Sequence, residues 1–149
     1  KISKNDKIIL TYIYQLYDKN VIEVKNGYSD VIAHIGVIEY LHKFDSKHSL
    51  RTEVQHLSTD QDKKNWAMLL FEYCVSPKWI ITAFDEWNYG NPDPSHRYHY
   101  YNGSLVYTKG PTRIGLGYVR QRAGLLCVGG VCRQVPASNG FNLTVTSRF

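Results

Sequence analysis

Two cysteines, Cys127 and Cys132, stand symmetrically about Val-Gly-Gly-Val, a spacing that by itself implies chemistry. A two-residue turn at Gly129-Gly130 would make Val128 and Val131 a hydrogen-bonded pair and set the cysteines opposite each other at the next, non-hydrogen-bonded position. Cα atoms at such a position lie ~4.5 Å apart, within disulfide range. An exported chain favours the oxidised pair. A metal or redox centre would need further Cys or His nearby, and the motif has none. Cys74 is the odd one out and reads as an inert strand residue.

The six histidines, His34, His42, His48, His56, His96 and His99, are scattered. His96 and His99 flank a Pro/Asp-rich loop and could approach a metal, but no third ligand is placed, which favours surface or interior histidines. There is no Gly-rich phosphate loop, no nucleophile elbow and no His-Glu zinc helix, and nothing fixes a Ser-His-Asp triad. The sequence therefore assigns no enzyme activity, catalytic residue, cofactor or metal. Basic residues gather toward one end of the expected strands: Lys63, Lys64, Arg97, Arg120, Arg122 and Arg133. Arg makes paired hydrogen bonds to phosphate, so this set suits the phosphates of lipopolysaccharide; it equally suits an ordinary solvated loop surface. Arg51 and Glu72 lie equally far from a loop centred near Gln61, so an antiparallel register sets them opposite each other as a charge pair in a barrel lumen.

Strands must position these residues. Runs with apolar residues at every second position recur between turn signals. In Ile8–Tyr17, the residues Ile8, Leu10, Tyr12, Tyr14 and Leu16 share a face against Thr11 and Gln15. Asp30–Phe44 is too apolar for its faces to be assigned. Leu50–Leu57 sets Arg51, Glu53 and Gln55 against Leu50, Thr52 and Val54. Trp66–Val75 sets Ala67, Leu69, Phe71 and Tyr73 against Met68, Leu70, Glu72 and Cys74. Trp79–Trp87 is ambiguous in its faces, Arg97–Thr108 alternates, and Ile114–Tyr118 follows a turn at Gly110-Pro111. The last run, from Phe141, sets Leu143, Val145 and Phe149 against Asn142, Thr144, Thr146 and Arg148. No convincing helix is found.

The connections between these eight strands alternate long and short. That rhythm gathers short turns at one end and long loops at the other, the asymmetry of an outer-membrane barrel with periplasmic turns and extracellular loops. An antiparallel up-and-down transmembrane β-barrel is thus the expected fold, both chain ends periplasmic. Tyr and Trp near the strand ends fit interfacial girdles. Composition agrees: of 149 residues 13% are aromatic, with twelve Tyr. A mean hydropathy of −0.37 and the lack of a long apolar run exclude a transmembrane helix but not spanning strands of ~9–11 residues. The net charge is +5, yet no helix clusters Lys and Arg, so nucleic acid is not an expected partner. The chain opens with no export signal, so either a signal has been removed or the chain is a segment of a longer exported barrel; the first strand begins almost at residue 1, which favours the segment.

The run Arg122-Ala-Gly-Leu-Leu-Cys-Val-Gly-Gly-Val-Cys-Arg-Gln-Val-Pro-Ala-Ser-Asn-Gly140, followed by the alternating strand to Phe149, resembles the C-terminus of an uncharacterised outer-membrane barrel family of Bacteroidota, a domain of unknown function. Leu50–Asp62 and Trp79–Gly90 are similar to that family too. The resemblance implies residence in the outer membrane, in contact with its lipid and lipopolysaccharide, and a barrel longer than this segment. It supplies no activity and no catalytic residues. The expected function is an integral outer-membrane component with a structural, transport or complex-forming role, alone or with other outer-membrane proteins. The alternative is a soluble β-barrel that binds a small ligand.

Overall fold

Runs rich in β-branched and aromatic residues, cut by Pro, Gly, Asn and Asp, fold as strands because such side chains pack on a pleated surface. The computed structural model describes residues 3–23, 26–128 and 131–148, with residues 22, 23, 124–128 and 131–134 given through their backbone only. In chain order the elements are β1 (Asp6–Tyr17), α1 (Lys19–Glu23), β2 (Val31–Lys43), β3 (His48–Ser58), β4 (Trp66–Val75), β5 (Trp79–Trp87), β6 (His99–Lys109), β7 (Thr112–Gln121), β8 (Gly124–Val128), β9 (Val131–Val135) and β10 (Ser138–Ser147). One antiparallel, up-and-down sheet of eight strands runs β1-β2-β3-β4-β5-β6-β7-β10, and β8 and β9 form a separate hairpin. The chain is all-β apart from α1 and a short 3₁₀ turn at Pro94–His96.

Eight antiparallel strands in sequence order were expected and are present. Closure is a different matter. β1 pairs only with β2 and β10 only with β7, so both are edge strands and the sheet is open. The expected barrel therefore holds as strand number, direction and order. The five-residue α1 also departs from the expectation of no helix. It starts where Asp18 Oδ1 accepts the Asn20 amide at 2.8 Å, and one turn is too short to display a 3.6-residue period.

Connections of two to four residues join β2 to β3, β4 to β5 and β6 to β7, while those of seven residues or more join β1 to β2, β3 to β4, β5 to β6 and, through the β8–β9 hairpin, β7 to β10. Local chemistry sets the short turns. Asp45 Oδ1 accepts the amides of Lys47 (2.6 Å) and His48 (2.8 Å), closing an Asx turn. Gly110 adopts a left-handed φ of +56°, which its missing Cβ permits, and Pro111 follows.

Register then sorts the side chains. Across the ladders Leu10 pairs with Ile38, Ile38 with Val54, Val54 with Leu69, Ile81 with Leu105, Leu105 with Leu116, and Leu116 with Leu143. These residues share one apolar face that crosses all eight strands, and each of them is exposed, Leu10 at 73% and Leu143 at 69%. Lys, Arg, Asp and Glu occur on it only within two residues of strand ends, at Asp6, Asp85, Lys109 and Arg120. The opposite face is mixed. It carries Glu39, Arg51, Glu53 and Glu72 in mid-strand and Asn102, Ser104, Asn142 and Thr144 toward β10. On β2 it is apolar except at Glu39 and Lys43, which is why sequence alone cannot assign the faces of that strand.

Exposure runs opposite to that of a soluble sheet. Along β2 the mixed-face residues Val31, Ala33, Ile35 and Val37 are shielded, whereas Ile32, His34 and Ile38 on the apolar face are exposed. Packing runs between ladder neighbours, and no described element lies across either face. The buried hydrophobics among the described residues are Val31, Ala33 and Trp66, all near the long-loop end.

Candidate functional site

The strands part at the long-loop end. The β6–β7 ladder stops at Asn102 opposite Val119, although β6 stays paired with β5 down to His99 and β7 stays paired with β10 out to Gln121. Between the diverging ends lies a cleft of about 400 Å³, lined by Lys63, Tyr98, Tyr100, Arg120 and Arg122 together with polar residues of β7 and β10. Its cations rest on rings. The Arg120 guanidinium lies 5.0 Å from the Tyr98 ring centre and 5.9 Å from that of Tyr100. Arg122 lies 4.7 Å over Trp66, which itself stacks on Tyr100 at 6.1 Å. A guanidinium over an aromatic face is attracted by the ring's quadrupole and keeps its N–H donors for other partners.

A polar cap fixes one wall of this cleft. Asn88, only 1% exposed, donates from Nδ2 to the carbonyls of Lys63 (2.8 Å) and Asn65 (3.2 Å) and accepts from Asn91 Nδ2 at 2.8 Å. Its own amide donates to the Tyr98 carbonyl at 3.2 Å. One side chain thereby ties the β3–β4 loop, which presents Lys63, to the β5–β6 loop, which presents Tyr98. Gly90 comes so close that a Cβ there would sit 2.4 Å from the Asn65 nitrogen. The cap extends to the first long loop through Lys19 Nζ, which bonds Asp62 at 2.7 Å, and through Gln61, which accepts the Ile32 amide. In the same cap Asp93 accepts from the Ser95 hydroxyl and amide and faces His96, and these contacts hold its carboxyl down at about 2.

Of the six basic residues singled out by sequence, Lys63, Arg120 and Arg122 meet in the cleft. Lys64 occupies a turn with φ of +56°. Arg97 is engaged elsewhere, its Nε donating to the Asn91 carbonyl at 2.9 Å. The Arg133 side chain lies outside the described residues. Sequence alone marks none of Tyr98, Tyr100 and Asn88 as site residues, and it places Trp66 among the interfacial girdle rings, whereas the structure buries Trp66 against Arg122 and Tyr100. One signal pointed toward them: all thirteen acidic residues lie before residue 94, while seven of the eighteen Lys and Arg lie after it. Any cleft built mainly from the last third of the chain is bound to be cationic.

On the mixed face Arg51 pairs in register with Glu72, but its hydrogen bonds go to other carboxylates. Nε donates to Glu39 at 2.8 Å, Nη2 lies 2.7 Å from the same carboxylate, and Nη2 donates to Glu53. The diagonal Glu39 and the same-strand Glu53 win because a long guanidinium reaches past its direct partner. A second hollow of about 360 Å³ on this face is lined by Ser104, Arg113, Asn142, Thr144 and Thr146.

In the small hairpin Val128 pairs with Val131 and Cys127 with Cys132, the register that a Gly129-Gly130 turn implies. The turn residues themselves and both thiols lie outside the described residues, as does Phe149. Cys74 is a free thiol. His96 bonds Asp93 and His99 bonds Asp85, each at 2.7 Å. Among the described residues no group of three His, Cys, Asp or Glu is arranged to hold a metal.

A family model described as a family of unknown function, DUF6029, matches residues 1–149. The chain belongs to that family. No curated protein and no solved structure matches it.

Proposed function

We propose that this DUF6029 chain forms part of the wall of an integral outer-membrane β-barrel in a Gram-negative bacterium, of the Bacteroidota by resemblance. The role is structural, transport or complex-forming rather than enzymatic. One observation carries the reading: the apolar face of all eight strands is exposed, and charge is kept from its middle. Contiguous apolar surface of that extent marks an interaction with lipid or another protein, since soluble monomers seldom expose more than a few hundred Å². The soluble ligand-binding barrel would need the apolar set inside, where the shielding is greatest. Here the more shielded set is the mixed one, as expected of a sheet curling toward a polar lumen.

Rings at both ends of the apolar face support the same reading. Trp79 and Tyr107 pack at 4.5 Å at the short-turn end. Trp87 stacks on His99 at 5.1 Å, and Tyr118 meets Phe141 at 4.8 Å, at the long-loop end. The eight steps from Trp79 to Trp87 span about 27 Å at ~3.4 Å each. Tilted as in a barrel, this is roughly 20 Å across the membrane, near the ~25 Å apolar band of such proteins.

An open edge cannot face hydrocarbon, because its backbone groups would lack partners. β1 and β10 must therefore be joined, and we assign that task to further strands of a longer protein. Long loops and the cap then face outward, where lipopolysaccharide is the neighbour, and short turns face the periplasm. Cys127 and Cys132 are oxidised in this setting; an unreduced hairpin peptide carrying two free thiols by mass spectrometry would remove that point. The test of the main reading is folding, in octyl glucoside or liposomes, of the longer protein that carries these strands. Heat-modifiable migration on a semi-native gel and co-flotation with liposomes are expected. A monodisperse, folded protein in detergent-free buffer would overturn it in favour of the soluble barrel.

A further inference from the structure

We infer that the cleft between the parted ends of β6 and β7 is a binding site for a saccharide that carries a phosphate monoester. Three features converge there. Lys63, Arg120 and Arg122 all line or rim it, and among the described residues none of them has a carboxylate partner. No carboxylate can come from later in the chain, since residues 94–149 contain neither Asp nor Glu. Three cations lining one cleft without a carboxylate partner focus a positive potential that favours an anion.

The second feature is the placement of the donors. The guanidiniums lie over rings, Arg120 at 5.0 Å from the Tyr98 centre and Arg122 at 4.7 Å from that of Trp66, and among the described residues neither bonds a carboxylate, so each can make bidentate bonds to phosphate oxygens. The third is the rest of the lining. Tyr98 is 39% exposed and offers a ring against which a sugar can pack, while Gln121, Ser138 and Asn139 supply hydrogen-bonding groups for hydroxyls. A simple inorganic anion would use the cations and leave this amphipathic lining idle. A volume of about 400 Å³ is within the range of small-molecule pockets. Asn88 pre-sets the site by holding the Lys63 and Tyr98 backbones together, so that little ordering is needed on binding.

The site stands on the cleft and not on the membrane reading. The phosphorylated sugar could arrive free or as the headgroup of a glycolipid, and the experiment separates these sources. The longer protein that carries these strands, folded in octyl glucoside, is titrated with glucose 1-phosphate, glucose and inorganic phosphate, with tryptophan fluorescence and calorimetry as readouts. Lipid A and phosphatidylglycerol, each in mixed micelles, form the second arm. Glucose 1-phosphate is expected to bind at least tenfold more tightly than either glucose or phosphate, and more weakly as salt rises. Arg120→Gln and Arg122→Gln should each lower affinity about tenfold or more, the size of a lost charge-assisted contact. Lys64→Gln, outside the cleft, should change little.

Preference for lipid A over glucose 1-phosphate would place the sugar on a glycolipid; equal affinity would place it free. Either supports the site. Binding of phosphatidylglycerol as tight as that of lipid A, binding of phosphate as tight as that of the sugar phosphate, or indifference to both Arg substitutions would overturn it. Heat-modifiable migration of each variant confirms its fold. A protein that binds the sugar phosphate but folds without detergent retains this site and loses the membrane reading.

Discussion

Two regions of this molecule follow opposite rules of burial. On β10 Phe141 is 81% exposed, while in the long-loop cap Asn88 is 1% exposed. The sheet leaves its apolar face open across eight strands. The cap buries amides, and succeeds because each buried polar atom is satisfied: among the described residues no buried side-chain nitrogen or oxygen lacks a partner. Hydrogen-bonded polar groups tolerate burial, whereas unpaired ones lose roughly 1–3 kcal/mol each. An apolar strand face needs no partner of defined geometry, only a non-aqueous neighbour. The sheet therefore depends on what surrounds it, and the cap depends on its own hydrogen bonds.

The largest expected effect sets one face of β10 against the other. Leu143, in the middle of the apolar face, is 69% exposed, and Thr144 lines the hollow on the mixed face. In the longer barrel Leu143→Arg places a charge in hydrocarbon at ~2–4 kcal/mol and should block assembly in liposomes, while Thr144→Arg should assemble. Heat-modifiable migration reads both variants. Equal tolerance would show that Leu143 does not meet lipid and would dissolve the contrast between the regions.

Next in size are lesions of the cap. Asn88→Ala strands the carbonyls of Lys63 and Asn65 and should cost about 2–3 kcal/mol. Gly90→Ala drives a methyl into the Asn65 backbone, at ~1–3 kcal/mol. Limited proteolysis should cut the β3–β4 and β5–β6 loops faster in both variants, with the sheet still assembled. Loss of the sheet as well would mean that the cap and the sheet are one cooperative unit.

Arg51→Met should do less. It leaves Glu39 and Glu53 facing each other near Glu72, and roughly 1–2 kcal/mol is expected because these groups remain partly open to solvent. Adding Glu39→Gln should recover part of the loss in urea unfolding. No recovery would mean that Arg51 acts through packing rather than charge.

The smallest effect is the response of the cap to acid. The Asp93 carboxyl is held at about 2, against an ordinary 3.8, by Ser95 and His96. A depressed folded value stabilises the loop above the unfolded value, and that contribution disappears as pH falls through the folded one. Amide exchange in Asn91–Arg97 should therefore be steady from neutral pH to about 4, once corrected for intrinsic rates, and should rise between about 4 and 2. Asp93→Asn should abolish the step; a step that persists would assign it to another group.

Much of the sheet was legible because local rules generate it. Period-two alternation in Ile8–Leu16, Arg51–Gln55 and Phe141–Thr146 defines both faces without tertiary information, since successive side chains on a strand must oppose. Turn residues bound β4 and β5 to the residue. Arg51 fell opposite Glu72 because a symmetric loop fixes antiparallel register, and Cys127 fell opposite Cys132 for the same reason at a tighter turn. Tertiary structure decided the rest. The faces of β2 needed its neighbours, because apolar residues occupy both sides. Arg51 chose Glu39 and Glu53 through side-chain reach, which sequence spacing does not encode. The cleft arose where two ladders stop at different lengths, and the cap arose from loops far apart in the chain meeting at Asn88. An asparagine in a Pro/Asp-rich loop looks solvated until its partners, Lys63, Asn65 and Asn91, are brought around it.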